Sequence, residues 1–116
     1  MARMCVLGGG LVGRFIAITL HERGHFVRVV DAEPLDDMPD EIEVIESRIE
    51  ANNLVNFVSG FEVTINCLPG RIGHSIRAHL VSIDDMLIAD LAFTAEDPRG
   101  LDKLAKEHGS TLVYDV

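Results

Sequence analysis

The sequence predicts an α/β fold in which a parallel, doubly wound sheet forms a single domain over residues 1–116, and three observations predict it. Short apolar runs alternate with longer segments of helical periodicity along the whole chain. A glycine cluster, Gly8-Gly9-Gly10-Leu11-Val12-Gly13, falls between the first apolar run and the first helical segment. An acidic residue, Asp31, ends the second apolar run.

The first run, Met4–Leu7, reads as a strand that enters the glycine cluster directly. From Leu11 to Leu20, the residues Val12, Phe15, Ile16 and Leu20 fall on one helical face, which predicts a strand, a tight turn and a helix in that order. Gly24 closes that helix, and Phe26–Val30 follows as a second strand ending in Asp31. Strand, helix and strand joined by short turns must give two parallel strands with a right-handed crossover. Ala32–Glu41 holds two prolines and much acid, so it predicts a loop with at most one helical turn. Glu43–Ile45 reads as a third strand and Ala51–Val58 as a modest helix. In Glu62–Leu68, Val63, Ile65 and Cys67 alternate with Thr64 and Asn66, which predicts a fourth strand stopped by Pro69-Gly70. Ile72, Ile76 and Leu80 then recur every four residues, so Gly73 to Ser82 is expected to be a helix with one apolar stripe. Met86–Leu91 is the fifth strand. Asp97 and Pro98 have the character of a helix N-cap and first position, with Leu101, Leu104 and Ala105 facing inward and Gly109 as the stop. Thr111–Asp115 is the sixth strand. The expected strand order is 3-2-1-4-5-6, that of the Rossmann fold.

Composition narrows the partners. An apolar fraction of 47% suffices for one hydrophobic core. A formal charge of −9 with scattered arginines opposes nucleic-acid binding, which needs clustered cations. No apolar run approaches the ~20 residues that span a bilayer, and no signal peptide opens the chain, so a cytoplasmic protein with reduced thiols is expected.

The glycine cluster fits G-x-G-x-x-G in the one place where that motif has physical meaning. Gly8 would permit the sharp turn, Gly10 would let a pyrophosphate approach the backbone, and Gly13 would let the helix pack closely on the sheet. The helix start aims unpaired N–H groups, those of Leu11 and Val12 among them, and its positive end at the same spot, so a diphosphate needs no basic side chain. Asp31, about 20 residues past the motif, is placed to accept hydrogen bonds from the adenosine ribose hydroxyls. A carboxylate there repels the extra phosphate of NADP, and Ala32 and Glu33 offer no arginine to receive it, so NAD is the expected cofactor. Cys67, Leu68 and Pro69 at the end of the fourth strand, and Asp90 at the end of the fifth, are expected beside the same cleft, with Asp90 either facing substrate or capping the following loop. Cys67 has no histidine placed to activate it, and Cys5 reads as core. His74 and His79, five residues apart, would lie on different helix faces, so no metal site is expected. His74 falls near the cofactor edge.

Three stretches carry a family resemblance: Val6-Leu-Gly-Gly-Gly-Leu-Val-Gly13, Val63-Thr-Ile-Asn-Cys-Leu-Pro-Gly70, and Asp90-Leu-Ala-Phe-Thr-Ala-Glu-Asp97 leading into Leu101 and Ala105. On these the chain resembles the N-terminal domain of the saccharopine dehydrogenase family, which includes lysine dehydrogenase-like enzymes. The resemblance implies an NAD(P)-dependent dehydrogenase of amino-acid metabolism acting on CH–NH donors. It also implies a second domain that binds the amino acid and supplies the catalytic groups, so these residues alone should bind cofactor without turnover, and no catalytic residue is assigned. The Ala32–Glu41 loop departs from the helix usual in that family, which leaves adenine contacts from Ser47 or Arg48 open. Two alternatives stand beside it. One is a regulatory nucleotide-sensing domain like those of potassium transport systems (RCK-like), a likeness that fades after Asp31. The other is a binding module that has lost its cofactor. Substrate identity and a homodimer stay open.

Overall fold

The structure, a computed structural model, describes residues 1–91 and 99–114, and of residues 74, 99 and 114 the backbone. Six parallel strands form one sheet: β1 (Arg3–Leu7), β2 (Phe26–Asp31), β3 (Glu43–Glu46), β4 (Val63–Asn66), β5 (Leu87–Asp90) and β6 (Thr111–Tyr114). Their order is β3-β2-β1-β4-β5-β6, as expected. The radius of gyration, 13.2 Å, is that of one compact body of this length, for which about 13 Å is usual.

Alternation along the strands sorts the core onto two faces. Cys5, Leu7, Val30, Ile88 and Leu112 face one way, under α2 (Leu54–Val58), α3 (Gly70–Leu80) and α4 (Arg99–Glu107). Val6, Val27, Val29 and Ile65 face the other way, under α1 (Leu11–Glu22) and the 32–42 segment, which contributes Leu35 and Ile42. The chain thus winds outward in both directions from β1 and β4, and the crevice at their carboxyl ends is the switch point of the sheet. Residues 32–42 carry turns and no helix, as their prolines predict.

Two helices present faces other than those expected. In α1 the buried residues are Gly13 and Ala17, with Ile16 and Leu20 half-buried, whereas Val12 and Phe15 are 60% and 72% exposed. The cause is close approach: an alanine Cβ at position 13 would lie 1.9 Å from the Gly8 carbonyl oxygen. A helix that near the strand meets it through its smallest residues, and larger ones are pushed off the contact line. In α3, Ile76 and Leu80 are buried, but Ile72 is 57% exposed and Arg77 sits inside the protein. That helix also begins at Gly70 rather than Gly73, since Pro69, in extended conformation, is its N-cap. The helix before β4 is only Leu54–Val58, and β4 itself ends at Asn66. The cap at Asp97-Pro98 and the strand end at Asp115 lie outside the described residues.

Candidate functional site

The glycine turn does three separate things. Gly8, at φ +100, occupies the region that disfavours side chains, and donates its N–H to Val30 O at 2.8 Å. Gly13 permits the contact with the Gly8 carbonyl described above. Gly10 is the N-cap of α1, no side chain caps that helix, and a Cβ built on Gly10 would meet nothing within 4 Å. The first-turn amides of α1 therefore open onto free space at the positive end of a twelve-residue helix. Leu11 and Val12 are exposed at the same end.

Asp31 is tied to this turn. One carboxylate oxygen, Oδ2, accepts the Gly9 N–H at 2.5 Å and the other, Oδ1, accepts the Glu33 N–H at 2.8 Å. An ionised carboxylate has about four acceptor sites, so two backbone bonds leave room for more donors. Asp31 is half-buried and, with Ala32, forms one wall of an open cleft of about 1080 Å³. The segment after β3 forms a second wall through Ser47, Arg48 and Ile49, and the turn into α3 forms the third through Leu68, Pro69, Arg71 and Ile72. Of the residues singled out in the sequence, the cleft gathers Asp31, Ala32, Leu68 and Pro69 directly. Gly8, Gly10, Leu11, Val12 and Gly13 adjoin it through the Gly9–Asp31 bond and are not among its lining residues.

Cys67 lies behind the turn. Its backbone is close enough to Gly8 that a Cβ there would come within 3.1 Å of the Cys67 carbonyl carbon and oxygen. Burial, and then the Asp90 carboxylate, push its thiol up to about 11, and burial pushes Cys5 up to about 12. Both stay protonated near neutrality, so neither is a ready nucleophile. Alkylation of Cys67 by iodoacetamide at pH 8 should run about a hundredfold slower than for a free thiol and keep rising to about pH 11. A rate that levels off below pH 9, followed by mass spectrometry, would contradict the burial argument.

Asp90 does not open onto the cleft. It is 3% exposed and paired with Arg77, itself 3% exposed, and it accepts a hydrogen bond from Asn66 Nδ2 at 3.3 Å. The same Asn66 amide donates to Gly73 O at 3.0 Å, while Asn66 Oδ1 accepts the Leu68 N–H at 3.3 Å. Asn66 and Asp90 are paired in register across β4 and β5. One buried polar knot thus holds together the ends of two strands, the turn that walls the cleft, and the start of α3. The carboxylate of Asp90 is thus buried and engaged with Arg77, which compensates its charge, whereas the other expectation, a cap on the loop at 91–95, falls mostly on residues outside those described.

Asn66, Arg77 and Arg71 were not singled out from the sequence. Asn66 stands at the last position of β4 as Asp90 does of β5, so the strand-end signal that marked Asp90 could have marked it too. Arg77 carried none, because a helical stripe is recognised by its apolar members. The side chain of His74 lies outside the described residues. Among the described residues no group of three or more His, Cys, Asp or Glu gathers as metal ligands, and no helix is long and apolar enough to cross a membrane.

No family model matches the chain. The kynurenine 3-monooxygenase of Yarrowia lipolytica is 29% identical over 91 residues, covering 78% of this chain and 19% of that protein. Among solved structures, the 3-hydroxyisobutyrate dehydrogenase of Mycobacterium tuberculosis shares 22% identity at a TM-score of 0.72, over 98% of this chain and 40% of its own. An imine reductase of Aspergillus terreus, solved with NADPH4, shares 18% identity at a TM-score of 0.70, over 98% and 40%. These likenesses show the fold. The chain spans about a fifth of the curated relative and about two fifths of the two structures. None of the three is a saccharopine dehydrogenase or a potassium-transport regulator by name.

Proposed function

We propose that the chain is the nicotinamide-dinucleotide-binding domain of an oxidoreductase, with NAD preferred to NADP. One observation carries this reading: a helix start with open amides and a half-buried carboxylate are joined through a single peptide, Gly9, whose N–H bonds Asp31. A diphosphate would rest at the amides of residues 10–13, and the ribose hydroxyls would donate to the remaining lone pairs of Asp31. The groups present fit such a ligand, since the space before Gly10 is clear and the cleft beside Asp31 is large enough for a nucleoside. When bound, the nicotinamide would supply the hydride acceptor or donor. The chain's own part is to hold and orient it.

The turn Asn66-Cys67-Leu68-Pro69 and the stretch beginning at Asp90 support a finer assignment, to a saccharopine dehydrogenase-like enzyme oxidising or reducing the C–N bond of an amino acid. Substrate binding and turnover are then functions of a further domain. The solved neighbours named above are a dehydrogenase and a reductase, and no observation favours the regulatory sensor.

Calorimetric titration tests the cofactor reading. NAD and ADP should bind, and NAD should bind at least about tenfold more tightly than NADP, because the 2′-phosphate meets a carboxylate that also loses its ribose donor. Asp31→Ala should weaken NAD by about tenfold and bring the two affinities together. Equal affinities in the unaltered chain would remove the role given to Asp31, and absence of any binding would remove the whole assignment.

A further inference from the structure

We propose that Arg71 is the adenine-clamping residue of the cleft, its planar guanidinium lying against the face of the purine; this rests on the dinucleotide reading above. Among the described residues Arg71 makes no ion pair or hydrogen bond, and it lines the cleft. Arg23, outside the cleft, likewise makes none, whereas Arg14 pairs with Asp37, Arg28 with Glu43 and Arg48 with Glu50, and Arg3 lies over the rings of Phe26 and Phe61. Its place in the fold gives no structural reason for a cation. Arg71 is the second residue of α3, at the positive end of an eleven-residue helix, where the dipole disfavours positive charge.

The make-up of the cleft decides what such a cation would meet. Among the described residues no aromatic side chain lines it, so a flat base meets aliphatic groups, those of Ala32, Ile49, Leu68, Pro69 and Ile72 among them, and no aromatic ring to stack on. Carboxylates of Asp31, Glu46 and Glu50 line the same space and outnumber the guanidiniums of Arg48 and Arg71. Three carboxylates against two arginines do not make a phosphate site, whereas a neutral planar base suffers no such repulsion. A guanidinium stacks on a π face and adds a cation–π attraction, which lysine, a hydrated point charge, reproduces poorly.

The experiment is titration of ADP, NAD and NADP into the unaltered chain, Arg71→Ala and Arg71→Lys. Arg71→Ala should weaken ADP and NAD alike by about five- to tenfold, leave the NAD to NADP ratio unchanged, and leave the melting temperature unchanged because the side chain is exposed and makes no ion pair or hydrogen bond among the described residues. Arg71→Lys should recover less than half of that loss on a logarithmic scale. The proposal is overturned if Arg71→Ala binds ADP as well as the unaltered chain does, if Arg71→Lys restores full affinity, or if only NADP is weakened, which would make Arg71 a phosphate contact. Failure of the unaltered chain to bind ADP overturns the dinucleotide assignment, and this proposal with it.

Discussion

Gly13→Ala is expected to lower the melting temperature by on the order of 10 °C and to abolish dinucleotide binding, whereas Gly10→Ala should abolish binding with little loss of stability. The two glycines are three residues apart in one motif, yet their surroundings are opposite. A Cβ at Gly13 would lie 1.9 Å from the Gly8 oxygen and 2.9 Å from its carbonyl carbon, both backbone atoms that cannot rotate away. Relief requires α1 to lift from β1 or the turn to unwind, and overpacking of this kind costs about 3 kcal/mol. For a domain of this size each kcal/mol lowers the midpoint by about 4 °C. A Cβ at Gly10 meets no protein atom within 4 Å and needs no unusual backbone angle there, with φ at −68. It would stand in the space a diphosphate takes. Thermal melts by circular dichroism, paired with ADP titration, separate the outcomes. A Gly13→Ala chain as stable as the unaltered one would show that the close helix approach is not needed, and ADP binding by Gly10→Ala would move the phosphate elsewhere.

The second large effect is expected at the buried ion pair. Arg77→Leu leaves the Asp90 carboxylate inside the protein with its cationic partner gone, and breaking a buried pair this way costs about 3–5 kcal/mol. The melting temperature should fall by on the order of 15 °C. The double change Arg77→Leu with Asp90→Asn keeps an acceptor for Asn66 Nδ2 and removes the buried negative charge, so it should regain more than half of the loss. Urea unfolding of the single and double variants measures both quantities. Additive losses would mean that the two residues act separately and that the polar knot does not hold the cleft wall as a unit.

The strand order was readable from the chain because short joints leave few topologies open. The strand-to-helix turn was readable because Gly8 and Gly13 satisfy demands that only a missing Cβ can meet. Asp31 was readable as a strand-end acid, but its bond to Gly9 was not, since a hydrogen bond across 22 residues leaves no local trace. The inward face of α1 was misjudged for a related reason. Gly13 and Ala17 carry almost no hydropathy, so a count of apolar side chains selects Val12 and Phe15 instead.

Sequence by itself determined the α/β class, the six-strand order, the site of the helix start that faces the switch point, and the acid at the end of β2. These follow from periodicity, chain continuity and backbone sterics, all of which act between near neighbours. Tertiary structure alone decided that Ser47, Arg48 and Arg71 share a cleft with Asp31, and that Arg77 is drawn inward to Asp90. Such meetings depend on where β3 and α3 come to rest across the sheet, and that is set by the packing of the whole core rather than by any segment within it.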